Sequence, residues 1–228
     1  MLLMTNIYID IEKRLAALYV GRTLVFVLKP LQAGLRRQAA HMGLTEEEIC
    51  MKRKDIMDEA DINRACVRLS HELIERNKGT DDVVLIGIQR RGVPLAKKVS
   101  ALVEQYYGVK LPVGMLDITF YRDDLSLLAE HPVINGTDIP FMVSGKRVVL
   151  VDDVLYTGRT ARAAIEAVME SGRAKCIQLM VMVDRGHREL PIRADFVGKN
   201  LPTANDEVVH VCVPEFDGES AVYIEALD

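Results

Sequence analysis

The chain has 228 residues, enough for one large domain or two small ones with a sizeable buried core. Hydrophobic residues make up 49% and charged residues 27%, and the net charge is −4. This is the balance of a soluble globular protein; it argues against indiscriminate nucleic-acid binding but leaves room for a local basic face.

The four cysteines, Cys50, Cys66, Cys176 and Cys212, show no CxxC spacing and no pairing with histidines at metal-ligand intervals. They read as free thiols in a reducing compartment, with no protein-built metal site. The run Leu15 to Leu28 is broken by Arg22 and is too short to span a bilayer, and no signal peptide is recognisable. The expectation is a cytoplasmic protein with no membrane partner.

Residues 1–50 differ in character from the rest: Ile11 to Ala40 is apolar and basic, broken by Lys29-Pro30 and Gly34. They read as an N-terminal extension: a mis-assigned start upstream of Met51, a loosely packed tail, or an extra helix used in oligomerisation. Residues 51–228 read as the functional domain.

From Asp61, Ile62, Cys66, Leu69 and Leu73 recur at helical spacing on one face, while Arg64, Arg68 and His71 share another. Gly79 closes this helix. Val83 to Ile88 is a continuous apolar run, the signature of a strand buried on both sides. After Gln89-Arg90-Arg91-Gly92, a helix is predicted from about Pro94 toward Tyr107-Gly108. Pro112 to Thr119 reads as a strand. Tyr121 to Gly145, with its charges and prolines, reads as a long lid loop or hairpin. Val148 to Val151 is a second buried strand, followed by a helix from about Thr160 to Ser171. Ile177 to Val183 is a third such strand, and Val208 to Val213 with Ala221 to Ile224 suggest a C-terminal hairpin. This alternation predicts an α/β fold, a mainly parallel sheet flanked by helices.

The chemistry is concentrated in Val148-Val149-Leu150-Val151-Asp152-Asp153-Val154-Leu155-Tyr156-Thr157-Gly158-Arg159-Thr160. A buried strand ends in two acids, and a Thr/Gly loop opens a helix. Ligands of open α/β sheets sit beyond the carboxyl ends of the strands. Backbone N–H groups, hydroxyls and a helix N-terminus suit a phosphate, and Gly158 permits close approach. Asp152 and Asp153 suit the two hydroxyls of a ribose. Together these describe a ribose 5-phosphate site. Acid pairs also end strands in phosphoacceptor receiver domains, where they bind Mg²⁺, but there Thr157-Gly158-Arg159-Thr160 would have no role.

This stretch resembles the PRPP-binding signature of the type I phosphoribosyltransferases. Three further blocks, His71 to Gly79, Asp117 to Ser126 and Val183 to Asp195, resemble the pyrimidine operon regulators, which combine regulation with uracil phosphoribosyltransferase activity. The likeness runs from about Asp55 to the C-terminus and implies the type I phosphoribosyltransferase fold. It implies the reaction of uracil with PRPP to give UMP and pyrophosphate, with Mg²⁺ bound mainly through PRPP.

By this resemblance, Asp152 and Asp153 orient the ribose, the Tyr156–Thr160 loop holds the 5-phosphate, Val154 and Leu155 belong to the same PRPP site, and Gln89, Arg90, Arg91 and Gly92 meet pyrophosphate. Arg122 is the lid arginine, and Asp184, Arg185 and Gly186 pack over the base. The family also implies binding to the leader of pyrimidine operon mRNA, strengthened by UMP or UTP. Cations for it are Arg68, His71, His187, Arg188, Arg193 and Lys199. Where relatives carry a threonine before the helical arginine this chain has Val67, and no aromatic platform is evident beside these cations. Homo-oligomers are usual for the family. The competing readings are an RNA-binding regulator whose nucleotide site serves only as an effector sensor, and a purine phosphoribosyltransferase sharing the PRPP loop.

Overall fold

The computed structural model describes residues 53–121 and 136–226. The extension expected over residues 1–50 and the lid arginine Arg122 lie outside the described residues.

Strand β1 (Arg53–Met57) leads into helix α1 (Glu59–Asn77). The helix starts two residues before the expected Asp61 because Asp58 caps it. The Asp58 carboxylate accepts from Asp61 N–H at 2.7 Å, and the Asp61 carboxylate accepts from Asp58 N–H at 3.3 Å. This is a capping box with a shorter acid in the third position. Lys78, left-handed at φ 58°, ends the helix, and Gly79 N–H donates back to the Ile74 carbonyl. Ile62, Cys66, Leu69 and Leu73 are buried, as their spacing predicts.

Strand β2 (Val83–Ile88) is buried at every residue, and helix α2 (Gly92–Tyr107) follows. The helix begins at Gly92, two residues ahead of Pro94, so the proline occupies the first turn, where its missing N–H costs nothing. Strand β3 (Val113–Leu116) is shorter than the sequence suggests, because Asp117 turns the chain by accepting from Thr119 N–H at 2.9 Å. Of the long segment after Tyr121, residues 136–145 form neither helix nor strand, and Asp138 bridges back to Met115.

Strands β4 (Arg147–Leu155) and β5 (Cys176–Asp184) flank helix α3 (Arg159–Ser171). Strand β6 (Phe196–Asn200) completes a five-stranded, all-parallel sheet in the order β3-β2-β4-β5-β6. Helices α1 and α2 pack with Leu85, Val149 and Val151 in one core, and α3 packs with Ile86, Val148 and Leu150 in the other. Alternate residues of one strand therefore serve opposite layers, which is why these strands read as unbroken apolar runs.

The expected C-terminal hairpin is present. Strands β7 (Glu207–Cys212) and β8 (Ala221–Ala226) pair antiparallel, joined through the short helix α4 (Pro214–Asp217). Strand β1 adds to the far side of β8, making a three-stranded sheet. Strands β1 and β6 escape the sequence reading because each carries only two apolar residues, Ile56 and Met57 in one and Phe196 and Val197 in the other. Among the described residues no helix is long and apolar enough to cross a membrane.

Leu73 is fully buried between α1 and the sheet. Leu73→Ala is expected to cost about 2–5 kcal/mol, from lost burial plus the cavity left behind, read as a lower urea midpoint with an unchanged m value.

Candidate active site

Strand β4 does not stop at Val151. It stays hydrogen-bonded to β5 as far as Leu155, opposite Asp184, so Asp152 and Asp153 belong to the strand rather than to the loop after it. Both are half-buried. Asp152 Oδ1 accepts from Asp153 N–H at 2.9 Å, and Asp153 Oδ1 accepts from Val154 N–H at 2.8 Å. These local bonds set the direction of each carboxylate at the carboxyl edge of the sheet.

The chain then turns through Tyr156-Thr157-Gly158 into α3. Gly158 is the N-cap at φ 95°, a left-handed conformation that disfavours side chains. No side chain caps this helix, and the Thr157 hydroxyl lies 3.4 Å from Arg159 N–H. An uncapped N-terminus presents N–H groups and the positive end of the helix dipole, the arrangement that takes a phosphate. Thr157 faces the loop by its hydroxyl while its carbonyl accepts from Glu189 and Leu190 N–H at 3.0 and 3.1 Å. Arg159 reaches the same neighbour, pairing with Glu189 at 2.7 Å, and Thr160 is half-buried in the first turn.

A second loop, Gln89 to Gly92, leaves the end of β2 beside β4. The peptide between Gln89 and Arg90 is cis. Gln89 donates its side-chain amide to the Gly136 carbonyl at 2.9 Å, and Arg90 is exposed. Arg91 makes a two-pronged bond to Asp217 at 2.8 and 3.0 Å, and Asp217 also accepts from Val213 N–H. The Asp217 carboxylate, reinforced by the charge of Asp153, raises the Arg91 pKa against the opposing effect of burial. Arg91 thus ties the loop to helix α4. Gly92 is there for steric reasons: a Cβ would lie 2.1 Å from the Val151 carbonyl oxygen. Only a bare backbone brings this loop so close to β4.

A third loop follows β5. Asp184 accepts from Gly186 N–H at 3.0 Å and pairs with Arg188. Arg188, expected among the RNA cations, is turned inward: its guanidinium donates to the carbonyls of Leu155, Tyr156, Gly186 and Ile192. Arg185 is buried; it lies over the Tyr156 ring at 4.1 Å and donates to Thr203 Oγ1 and to the Ala204 and Glu207 carbonyls. His187 is exposed, with Nε2 at 2.5 Å from the Thr203 carbonyl. The two arginines clamp this loop to the Tyr156–Thr160 loop and to the chain ahead of β7.

Three of the expected groups therefore meet at one edge: the acids of β4 with the Tyr156–Thr160 loop, the Gln89–Gly92 loop, and the Asp184–Gly186 turn. The remaining cations sit elsewhere. Arg68 and His71 are exposed on α1, and Arg68 donates to the carbonyls of Val197 and Gly198, next to exposed Lys199 on β6. Arg193 is exposed between β5 and β6. Sequence reasoning missed Asp217 as the anchor of Arg91, since an Asp before a Gly reads as a turn. It also missed the Thr203–Glu207 segment held by Arg185, which carries no pattern at all.

Among the described residues, no three Asp, Glu, His or Cys side chains gather to hold a metal ion. The donors at the edge are two aspartates on one strand, a set that suits a Mg²⁺ ion arriving on a pyrophosphate substrate better than a resident one.

Residues 53–215 match the phosphoribosyl transferase domain family. The bifunctional protein PyrR of Caldicellulosiruptor bescii is 63% identical over 177 residues, covering 78% of this chain and 97% of that protein. Its counterpart in Acetivibrio thermocellus is 60% identical over 174 residues, covering 76% and 95%. Among solved structures, the fold is similar to hypoxanthine phosphoribosyltransferases. That of Staphylococcus aureus is 21% identical with a TM-score of 0.57, covering 77% of this chain and 92% of that one. That of Trypanosoma cruzi is 17% identical with a TM-score of 0.60, covering 77% and 97%.

Gly92→Ala is expected to push the Gln89–Gly92 loop off β4 and to lower the urea midpoint clearly. Arg90→Ala, at an exposed position in the same loop, is expected to change stability by no more than about 0.5 kcal/mol. Equal midpoints for the two variants would contradict the steric account.

Proposed function

The chain belongs to the phosphoribosyltransferase family and, within it, to the bifunctional PyrR proteins, and from that premise we propose that it joins uracil to PRPP, yielding UMP and pyrophosphate. The observation that carries this reading is the β4 edge, where two oriented aspartates run directly into an uncapped, glycine-started helix. The domain responsible spans residues 51–228.

The reaction needs no enzyme nucleophile. As pyrophosphate leaves C1, positive charge develops on the ribose, and uracil N1 attacks. The protein supplies position and charge. Asp152 and Asp153 orient the ribose hydroxyls and place negative potential beside the developing cation. The Tyr156–Thr160 loop, which continues from Val154 and Leu155 of β4, receives the 5-phosphate through the N–H groups of α3 and the Thr157 and Thr160 hydroxyls. Gln89, Arg90, Arg91 and Gly92 meet the pyrophosphate, with Arg91 steadied by Asp217, and Arg122 closes over it to exclude water. The Asp184–Gly186 turn packs over uracil, and Arg185 and Arg188 hold that turn in place. Mg²⁺ carried on PRPP, with Asp152 and Asp153 the edge carboxylates that would meet it, would offset the charge of the leaving pyrophosphate.

The second function is regulation: uridine nucleotides in this site strengthen binding to the leader of pyrimidine operon mRNA. Arg68, His71, Arg193 and Lys199 are exposed and suited to phosphate contacts, with His187 near the nucleotide site. The burden of Arg188 is internal, given its four carbonyl partners and Asp184. The protein works in the cytoplasm, in keeping with the unpaired thiols of Cys66, Cys176 and Cys212, and as a homo-oligomer like its family.

Purified protein given PRPP, Mg²⁺ and each nucleobase in turn is expected to form nucleotide rapidly from uracil alone. Asp153→Asn is expected to lower that rate by about 100-fold or more while leaving the fold intact. UMP binding without turnover of any base would instead favour the effector-sensor reading, and turnover of hypoxanthine or guanine the purine one. For the RNA arm, Lys199→Ala is expected to reduce the slope of log affinity against log salt by about one, with sequence preference unchanged.

A further inference from the structure

The basic face of α1 does not stand alone. Helix α2 packs against α1, and its last turn carries Tyr106 and Tyr107, which remain 48% and 41% exposed. Both lie against His71. The His71 and Tyr106 rings are 4.9 Å apart and tilted by 48°, and the His71 and Tyr107 rings are 5.6 Å apart, edge to face. The Tyr107 hydroxyl lies 2.7 Å from His71 Nδ1, which fixes the imidazole between the two phenols. Three aromatic rings from two helices thus form one exposed cluster, an arrangement the sequence hides because His71 and Tyr107 are 36 positions apart.

Beside the cluster is an open depression on α1, lined by Arg64, Val67, Arg68, His71 and Glu72 among others. Its cations are steadied from within the helix: Arg64 pairs with Asp61, and Arg68 with Glu72 at 2.7 Å. Arg68 is held at both ends, because its other nitrogen donates to the β6 carbonyls. The surface thus joins a rigid guanidinium, a cluster of three rings and Lys199 at the neighbouring strand end.

We propose that Tyr106 and Tyr107, with His71, form a stacking platform for an unpaired base of an RNA loop, the backbone of which runs along Arg68 and Lys199. This rests on the RNA-regulatory reading above and deepens it by naming which residues take bases and which take phosphates. Single-stranded bases are held by stacking on exposed aromatic side chains, and cations beside the rings hold the backbone. A second copy of the chain is a poorer fit. The depression carries four charged side chains, Arg64, Arg68, Glu72 and Glu75, whereas the buried centre of a stable homodimer interface is short of charge. The platform also changes the balance at Val67. The hydroxyl missing there removes one polar contact, and the stacking surface lies a turn further along α1.

The test uses the full-length protein with UMP and the transcribed leader ahead of the pyrimidine genes of its own genome, with 2-aminopurine placed in turn at each unpaired loop position. Wild-type binding should quench the fluorophore at one loop position. Tyr106→Ala and Tyr107→Ala should each weaken affinity by about tenfold and abolish the quench, without changing the salt slope. Tyr106→Trp should restore both, and UMP synthesis should be unaffected by any of these changes. Arg68→Met should instead flatten the salt slope while leaving the quench at saturation. If wild-type protein binds the leader and the tyrosine variants bind it equally well, the platform is overturned and the RNA reading stands. If wild-type protein does not bind the leader at all, both fall together. If the tyrosine variants lose RNA only because sedimentation shows the oligomer dissociated, the patch is a subunit interface and the platform is again overturned.

Discussion

Everything at the active edge depends on strand β4 being paired on both sides and covered on both faces. Its backbone is hydrogen-bonded to β2 and β5, and Val148 to Val151 are almost wholly excluded from solvent. A strand so enclosed meets solvent chiefly at its ends. Charged residues are therefore tolerated where it emerges, and Asp152 and Asp153 occupy that place. Parallel pairing adds a second consequence: β2 and β5 emerge at the same edge, so the loops that follow them converge on the acids.

Convergence alone would leave three loops moving independently. Two kinds of contact prevent it. Gly87 and Gly92 remove side chains where the β2 loop and α2 press on neighbouring backbone, so that loop is held by close packing. Elsewhere the loops are held by guanidinium groups, whose several donors in a fixed plane can satisfy many carbonyls at once. Arg188 links the loops after β4 and β5, Arg185 adds the segment before β7, and Arg91 reaches helix α4 through Asp217. Such an edge is organised before substrate arrives, and preorganisation is what positional catalysis requires.

The same architecture keeps the β4 edge apart from the basic face of α1. The nucleotide edge lies at the carboxyl ends of β2, β4 and β5, while the basic face of α1 lies over the β6 side of the sheet, where Arg68 touches Val197 and Gly198. The Asp184–Asp195 chain connects them: it begins at the Asp184–Gly186 turn, passes through Arg188, and ends where Asp195 pairs with Arg76 of α1 at 2.6 Å.

What the residues alone disclose is local and repetitive. Burial on both faces demands long apolar runs, so β2, β4 and β5 are plain to read, and helical spacing marks the buried face of α1. The pair Asp152-Asp153 with Thr157-Gly158-Arg159-Thr160 is legible because all its parts lie within nine consecutive residues. Strands β1 and β6 are not, since an edge strand is held largely by its neighbour's backbone and needs little apolar signal of its own. Arg185, expected over the base, and Arg188, expected among the RNA cations, are also internal braces, which the sequence hides because the carbonyls that hold them are scattered from residue 155 to residue 207. The ring cluster of His71, Tyr106 and Tyr107 is invisible for a similar reason: it exists only once α2 lies against α1. Chain-local chemistry could be read directly, whereas partners distant in sequence required the packing that brings them together.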